Sequence, residues 1–395
     1  MRLQAYNPAW ALHAAVRAAA TRWQRQGLLV DGQHAAIDAA YPLDCYQPAW
    51  LLRAVLFFFT VLGCAAAAAF CALPLLNSSY SDAGLTAWLL LLAAGFLLVL
   101  ELIITSSRPY HAGYDNAILY AAVLALLGLG VQAQLAVGGA GTLAGPRLAP
   151  FLLYGIAVLG AATVRYADLL AAALVFAAAL ALAANLALQT AAGPALLPFV
   201  AMLFAAGAAA VVHRLARGPH YFYYRTCRQT VKALALATFY LGGNYLVVRE
   251  GNAALSHLPF APQIPFAPLF YALTALIPLA YLYYGLRRHD RLVLIMGLLA
   301  VAFSVFTLRY YRALLPPAVA AALAGALLLA VAAAALRYLG TPRHGLTAAA
   351  DDEAVPLFNL ESLVVAQYNV PGQVPAAGFQ FGGGDSGGGG ATGQF

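Results

Sequence analysis

The chain has 395 residues, of which 63% are hydrophobic and 9% charged, against the roughly 25% charged that an ordinary soluble domain carries. A water-soluble globule is excluded, and with it any domain count based on aqueous packing. Lys and Arg exceed Asp and Glu by 21 to 14, a formal charge of +7. These charges sit mostly between apolar runs, so they report membrane topology before nucleic-acid binding, which is not expected here.

Residues 1–50 read as a small cytoplasmic helical hairpin. Asn7 caps, Pro8 suits the first helical position, and Leu12, Val16, Ala19 and Trp23 recur on one face until Gly27. Asp31 caps a second helix that ends before Pro42, with Leu28, Leu29, Ile37 and Tyr41 available to pack back on the first. A pair this small buries too little surface to stand alone, so it is expected to lean on the membrane surface or on a partner. The segment contains no signal-peptide pattern, and insertion is expected to rely on the spans.

Apolar stretches of about 17–25 residues, long enough to cross about 30 Å of hydrocarbon, then recur. Ten are read, at 51–76, 84–105, 115–136, 148–164, 168–189, 195–212, 230–248, 266–286, 292–308 and 313–336. Only Arg165-Tyr166-Ala167-Asp168 separates the fourth from the fifth, so one long kinked helix is the alternative there. With the N-terminus inside, 17 of the 21 Lys and Arg residues fall on the inner side and four on the outer. That is the asymmetry the positive-inside rule demands. The fold class is therefore all-α: a polytopic bundle of about ten spans over 51–336, both termini cytoplasmic. The tail, 337–395, carries a short helix near 359–367 and a Gly-rich end expected to be disordered.

Ionisable groups at membrane depth are expensive and are functional candidates by default. Glu101 lies one turn from the inner end of the second span, where it either snorkels to the interface or pairs with Arg108. With His111, Asp115 and Asn116 it crowds the first cytoplasmic loop, which serves either as a neutralised turn or as a proton or solute relay. Asp115 and Asp168 suit helix caps. Asn244 follows Gly242-Gly243 in the seventh span, whose outer end carries Arg249-Glu250. It reads as packing glue between helices, or as a locally unwound substrate site. Arg214, Arg217, Arg225 and Arg228 flank Tyr221-Phe222-Tyr223-Tyr224, a pattern that an anionic leaflet attracts at about 1 kcal/mol per charge.

No GxSxG, HExxH or Walker loop occurs, so no catalytic residues are assigned. The eight histidines lack metal-ligand spacing, and Cys45, Cys64, Cys71 and Cys227 form no CxxC. Neither a metal nor a cofactor is expected.

Trp23-Gln24-Arg25-Gln26-Gly27-Leu28-Leu29 with Gln33, Ile37 and Tyr41, then Ala112-Gly113-Tyr114-Asp115-Asn116-Ala117, then Gly242-Gly243-Asn244-Tyr245-Leu246-Val247-Val248-Arg249-Glu250, resemble segments of a group of uncharacterised bacterial multi-pass membrane proteins, notably from Bacteroidota. The glycine run ending at Phe395 is similar to tails on other bacterial membrane proteins. The resemblance implies the hairpin-plus-bundle layout and a bacterial inner-membrane location, and no activity. The reading that follows is a non-enzymatic scaffold, sensor or assembly factor of the envelope, touching anionic lipid on the cytoplasmic side and a protein partner through residues 1–50 or the tail. A transporter of a small polar solute is the alternative, and an intramembrane enzyme comes last.

Overall fold

The computed structural model describes residues 3–77, 81–138, 145–218, 220–256 and 261–311, together with scattered positions between 319 and 340. Met1–Gly325 forms one compact unit and Ala326–Phe395 a second, of which only a few helical positions are described. Most of the tenth predicted span, 313–336, and the whole Gly-rich end lie outside the described residues.

The chain opens with α1 (Pro8–Arg25) and α2 (Asp31–Ala40). Asn7 Oδ1 accepts from the Ala9 amide at 3.1 Å, with Pro8 at the first helical position. Asp31 does not cap α2. The N-cap is Val30, whose amide donates to the Gln33 side chain at 3.2 Å, and Asp31 instead accepts from Gln24 of α1 at 2.8 Å. Arg17 pairs with Asp38 at 2.8 Å across the two helices. The inward face of α1 also differs from the expected one. Trp10, Ala11 and Ala20 are buried, while Trp23 is 48% exposed: the N-terminal end of α1 packs into the bundle, and its C-terminal half meets α2 through Arg17, Thr21 and Gln24 rather than through Trp23.

Among the described residues, eight helices are long and apolar enough to cross a membrane, or nine if one bent pair forms a single span. They are α3 (Trp50–Asn77), α4 (Asp82–Ser107), α5 (Tyr114–Gly138), α6 (Leu148–Tyr166), α7 (Leu169–Leu188), α8 (Gly193–Leu215), α11 (Ala267–Arg288) and α12 (Arg291–Tyr311). The bent pair is α9 (Arg225–Gly243) and α10 (Tyr245–Leu255). Phe70 at 74% and Leu203 at 77% exposure would be a liability in water. In hydrocarbon they are ordinary lipid-facing side chains, and the helical backbone satisfies its own polar groups.

The short separator between the fourth and fifth spans makes a true break. α6 ends at Ala167 in the left-handed region (φ 50), and Asp168 caps α7 by accepting from the Ala171 amide at 2.8 Å. The seventh span, read as one continuous helix, is broken at Asn244 by 77°. Asn244 adopts extended backbone (φ −83, ψ 125), so it caps α10 and ends α9 at the same residue.

The largest core cluster joins Tyr6 and Trp10 to Leu100 and Ile104 of α4, Leu119 of α5, Leu159 and Tyr166 of α6, and Tyr223 before α9. A second surrounds Tyr245 and Phe270. The hairpin is thus tied into the bundle through its leading residues.

Candidate functional site

The ends of α4 and α6 and the starts of α5, α7 and α9 meet at one end of the bundle, where their connections are short. The last carbonyls of a helix have no partner within it. Those of α6 are met from outside: Arg165 O accepts from the Ala5 amide at 2.8 Å and from the Tyr223 hydroxyl at 2.7 Å, and Val164 O accepts from the Tyr224 hydroxyl at 2.6 Å. The N-terminal segment and the α8–α9 connection are therefore held by backbone groups that any α6 of this length would leave free.

Within that frame lie two fully buried carboxylates. Asp115 accepts from the Tyr6 hydroxyl at 2.8 Å and from the Gly113 and Asn116 amides, each at 3.0 Å. Asp168 accepts from the Asn116 side-chain amide at 2.7 Å, the Tyr120 hydroxyl at 3.0 Å and the Ala171 amide at 2.8 Å. Asn116 links the pair. Each carboxylate accepts three hydrogen bonds, which offsets the cost of its burial.

His111 sits against both carboxylates and Arg53, and its ring lies 5.1 Å from that of Tyr6 and 4.9 Å from that of Tyr110. Burial holds its imidazolium below the ordinary histidine range, against the opposing pull of Asp115 and Asp168. Burial, reinforced by Asp115, pushes the Tyr6 phenol well up, and burial raises Tyr110 to about 12, so both stay protonated at neutral pH. Arg108 (φ 48), His111 (φ 51) and Ala167 (φ 50) hold left-handed backbone around this cluster, a strained choice for residues with side chains. Gly113, at φ 101, could not carry a side chain, because a Cβ there would strike the Arg53 backbone of α3.

Glu101 belongs to an adjoining pair. Its carboxylate receives Arg165 in bidentate fashion, at 2.7 Å for both bonds, and the Tyr166 hydroxyl at 2.6 Å. The expected partner, Arg108, is exposed and takes no part. Asp168 caps α7 as read from sequence, whereas Asp115 lies inside the first turn of α5 and accepts from the Gly113 and Asn116 amides, and each also binds a residue about fifty or more positions away.

Asn244, 0% exposed, organises a second cluster. Its Oδ1 accepts from the Leu246 and Val247 amides at 3.0 and 3.3 Å. Its amide donates to the Tyr240 hydroxyl at 2.9 Å and to Thr307 of α12 at 3.0 Å. Tyr240 meets Ser304, which donates to Thr274 O, and Thr274 Oγ1 accepts the Tyr245 amide at 3.0 Å. Arg249 donates to Ala261 O at 3.0 and 2.7 Å and covers the Tyr311 ring at 4.8 Å, while Glu250 accepts from the Tyr311 hydroxyl at 2.7 Å. These ties close the α9–α10 corner onto α12.

Comparison with protein-family models, with curated proteins and with solved structures finds no match for this chain. Among the described residues no group of three or more His, Cys, Asp or Glu side chains is placed to hold a metal ion.

The clusters around Asp115 and Asn244 are separate networks. Neither Glu101, Asn244 nor Asn185 borders the cavity among α6, α7, α8 and α9, and Asn185 donates to Gly145 O, where the C-terminal end of α7 meets the start of α6. Arg214, Arg217 and Arg225 are exposed on the α8–α9 connection. Sequence reasoning missed Tyr6, Tyr120, Arg165 and Tyr166 at the first cluster, and Thr274, Ser304 and Thr307 at the second. Tyrosines near a membrane interface look like ordinary interfacial anchors, and single hydroxyls barely dent an apolar span.

Proposed function

We propose that this is an integral protein of a bacterial inner membrane that works without catalysing a reaction, as a scaffold, sensor or assembly factor of the envelope. In this reading the N-terminal hairpin is a cytoplasmic module latched to the spans, and it presents or withholds a surface for a protein partner. The observation that carries it is the Tyr6–Asp115 hydrogen bond, buried at 2.8 Å beside the Ala5–Arg165 backbone bond. A latch made of one phenol and one amide is strong enough to order the segment and weak enough to release. The resemblance to Bacteroidota-type multi-pass proteins and the charge asymmetry support the location.

One observation favours the second reading, a transporter of a small polar solute: the 77° break at Asn244, which frees backbone groups inside a span. Against it, the Asn244 side chain is spent on cap and tie bonds within the protein.

Complementation of a deletion strain separates the two. Under the latch reading Tyr6→Phe alters the phenotype at unchanged protein abundance, whereas Asn244→Ala acts only in proportion to lost protein. A silent Tyr6→Phe together with an inactive, fully abundant Asn244→Ala would establish the transporter instead.

A further inference from the structure

A cavity of about 810 Å³ lies among α6, α7, α8 and α9, and it shares Val164 and Tyr224 with the frame of the first polar cluster but none of that cluster's carboxylates. Its walls are apolar, built from residues such as Gly160, Ala172, Phe176, Phe204 and Gly207. From Phe204 to Leu215 it follows α8 for about 16 Å at 1.5 Å per residue, roughly one leaflet of a 30 Å hydrocarbon core. Two glycines in its walls are not there for helix packing. A Cβ built on Gly160 or on Gly207 meets nothing within 4 Å, so both face open space.

The basic end of the cavity carries His220, Tyr224 and Arg228. Arg228 is the informative group. Its Nε and Nη1 atoms are buried without a hydrogen-bond partner among the described residues, and its guanidinium carbon rests 4.2 Å from the centroid of the Tyr221 ring. The ring orients the cation but accepts none of its in-plane N–H bonds. Two buried, idle donors on one half-buried guanidinium are costly, and an anionic oxygen group is the partner that satisfies them best.

An acyl-sized slot one leaflet deep, ending at an unsatisfied guanidinium, has the polarity pattern of a membrane amphiphile. We propose that this groove binds one anionic phospholipid, with an acyl chain between α6 and α8 and the phosphate on Arg228. This goes beyond the latch reading and does not depend on it. It also separates Arg228 from Arg214, Arg217 and Arg225, which are exposed and attract the leaflet only as surface charges.

The test is native mass spectrometry of the full chain, delipidated in detergent and reloaded with phosphatidylglycerol, phosphatidylcholine, a fatty acid or inorganic phosphate. The expected result is one phosphatidylglycerol retained per chain, preferred over phosphatidylcholine by roughly tenfold or more, because the choline cation beside the phosphodiester of phosphatidylcholine offsets the charge that Arg228 meets. Gly207→Phe, which fills the slot, should abolish retention with the melting temperature unchanged. If that variant fails to fold, Gly160→Leu makes the same test from α6. Arg228→Gln should reduce phosphatidylglycerol to the level of phosphatidylcholine, and Gln at Arg214, Arg217 and Arg225 together should leave retention intact.

Equal retention of the two phospholipids, or retention that survives both filling variants, would overturn the proposal. So would loss of retention in the triple variant, which would reduce the contact to surface charge. A fatty acid bound as tightly as phosphatidylglycerol, or inorganic phosphate bound equally in Gly207→Phe, would overturn the assignment to a phospholipid.

Discussion

The Tyr6 hydroxyl donates to Asp115, 109 residues downstream, at 2.8 Å, with both side chains buried. The bond joins a segment that precedes every candidate span to the first turn of α5. It converts what looks like a peripheral hairpin into part of the bundle's own polar core. The same carboxylate fixes the Gly113–Asn116 turn, so the position of the N-terminal segment and the geometry of the α4–α5 connection depend on one side chain.

Removing only the hydroxyl isolates that bond. Tyr6→Phe should destabilise the protein by about 1–3 kcal/mol, the cost of leaving a buried acceptor one donor short. Residues 1–50 should become cleavable by protease at concentrations that spare the wild type. Unchanged proteolysis would mean that Trp10 and the Ala5–Arg165 bond hold the segment without the phenol.

His111 makes the cluster sensitive to acid. Its pKa is lowered in the folded protein, so above the ordinary histidine value near 6.5 both folded and unfolded states are neutral and the site carries no penalty. As pH falls through that value the unfolded state takes up a proton while the folded state resists, so stability declines until the folded pKa is reached. The melting temperature in detergent should therefore drop between pH 7.5 and pH 5.5, and His111→Gln should flatten that dependence. An unaltered slope in the variant would assign the acid sensitivity to other groups.

The two buried or half-buried acids should respond differently. Arg165 and Glu101 keep 39% and 36% of their side-chain surface exposed, so solvent screens the pair and Glu101→Gln should cost no more than about 1 kcal/mol. Asp115→Asn replaces an acceptor of three donors at 0% exposure with an amide that accepts at one atom only. It should cost more than Glu101→Gln in the same chemical unfolding experiment.

Asn244 combines a cap with a tie between helices, and two variants separate them. Asn244→Ala should lose both, at about 1–3 kcal/mol, since a lost N-cap alone costs about 0.5–2 kcal/mol. Asn244→Asp keeps the oxygen that caps α10 but loses the N–H donors to Tyr240 and Thr307. Circular dichroism should show α10 helicity retained in the aspartate variant and reduced in the alanine variant.

Orientation is open to reporter fusions. Fusions after Asp82 and Ala192 should report outside, and fusions after Arg217 and Arg288 inside, as the charge asymmetry requires. A fusion at Ser256 should report outside if α9 and α10 cross as one bent span, and inside if the pair turns back within the membrane.

The amino-acid sequence alone determined that the chain is helical and apolar, where most of its long helices lie, and that the run from Arg165 to Asp168 could divide two spans; it did not show the break at Asn244. These properties are local: hydropathy over about twenty residues, a capping oxygen three positions from an amide, a glycine at a turn. It also pointed to Asp115, Asn116 and Asn244, because a polar group in an apolar run is conspicuous wherever it ends up. Pairing was decided only by the tertiary structure. Glu101 takes Arg165, 64 positions away, over the nearer Arg108, because Arg108 itself ends α4 in the left-handed region and is exposed, while α6 brings its last turn alongside Glu101. The Asn244 break likewise needs Thr274 of α11 to accept the freed Tyr245 amide and Thr307 of α12 to bond the Asn244 side chain. In an apolar medium a polar group is worth little until a second one arrives from a distant segment, and that meeting is a property of packing rather than of spacing.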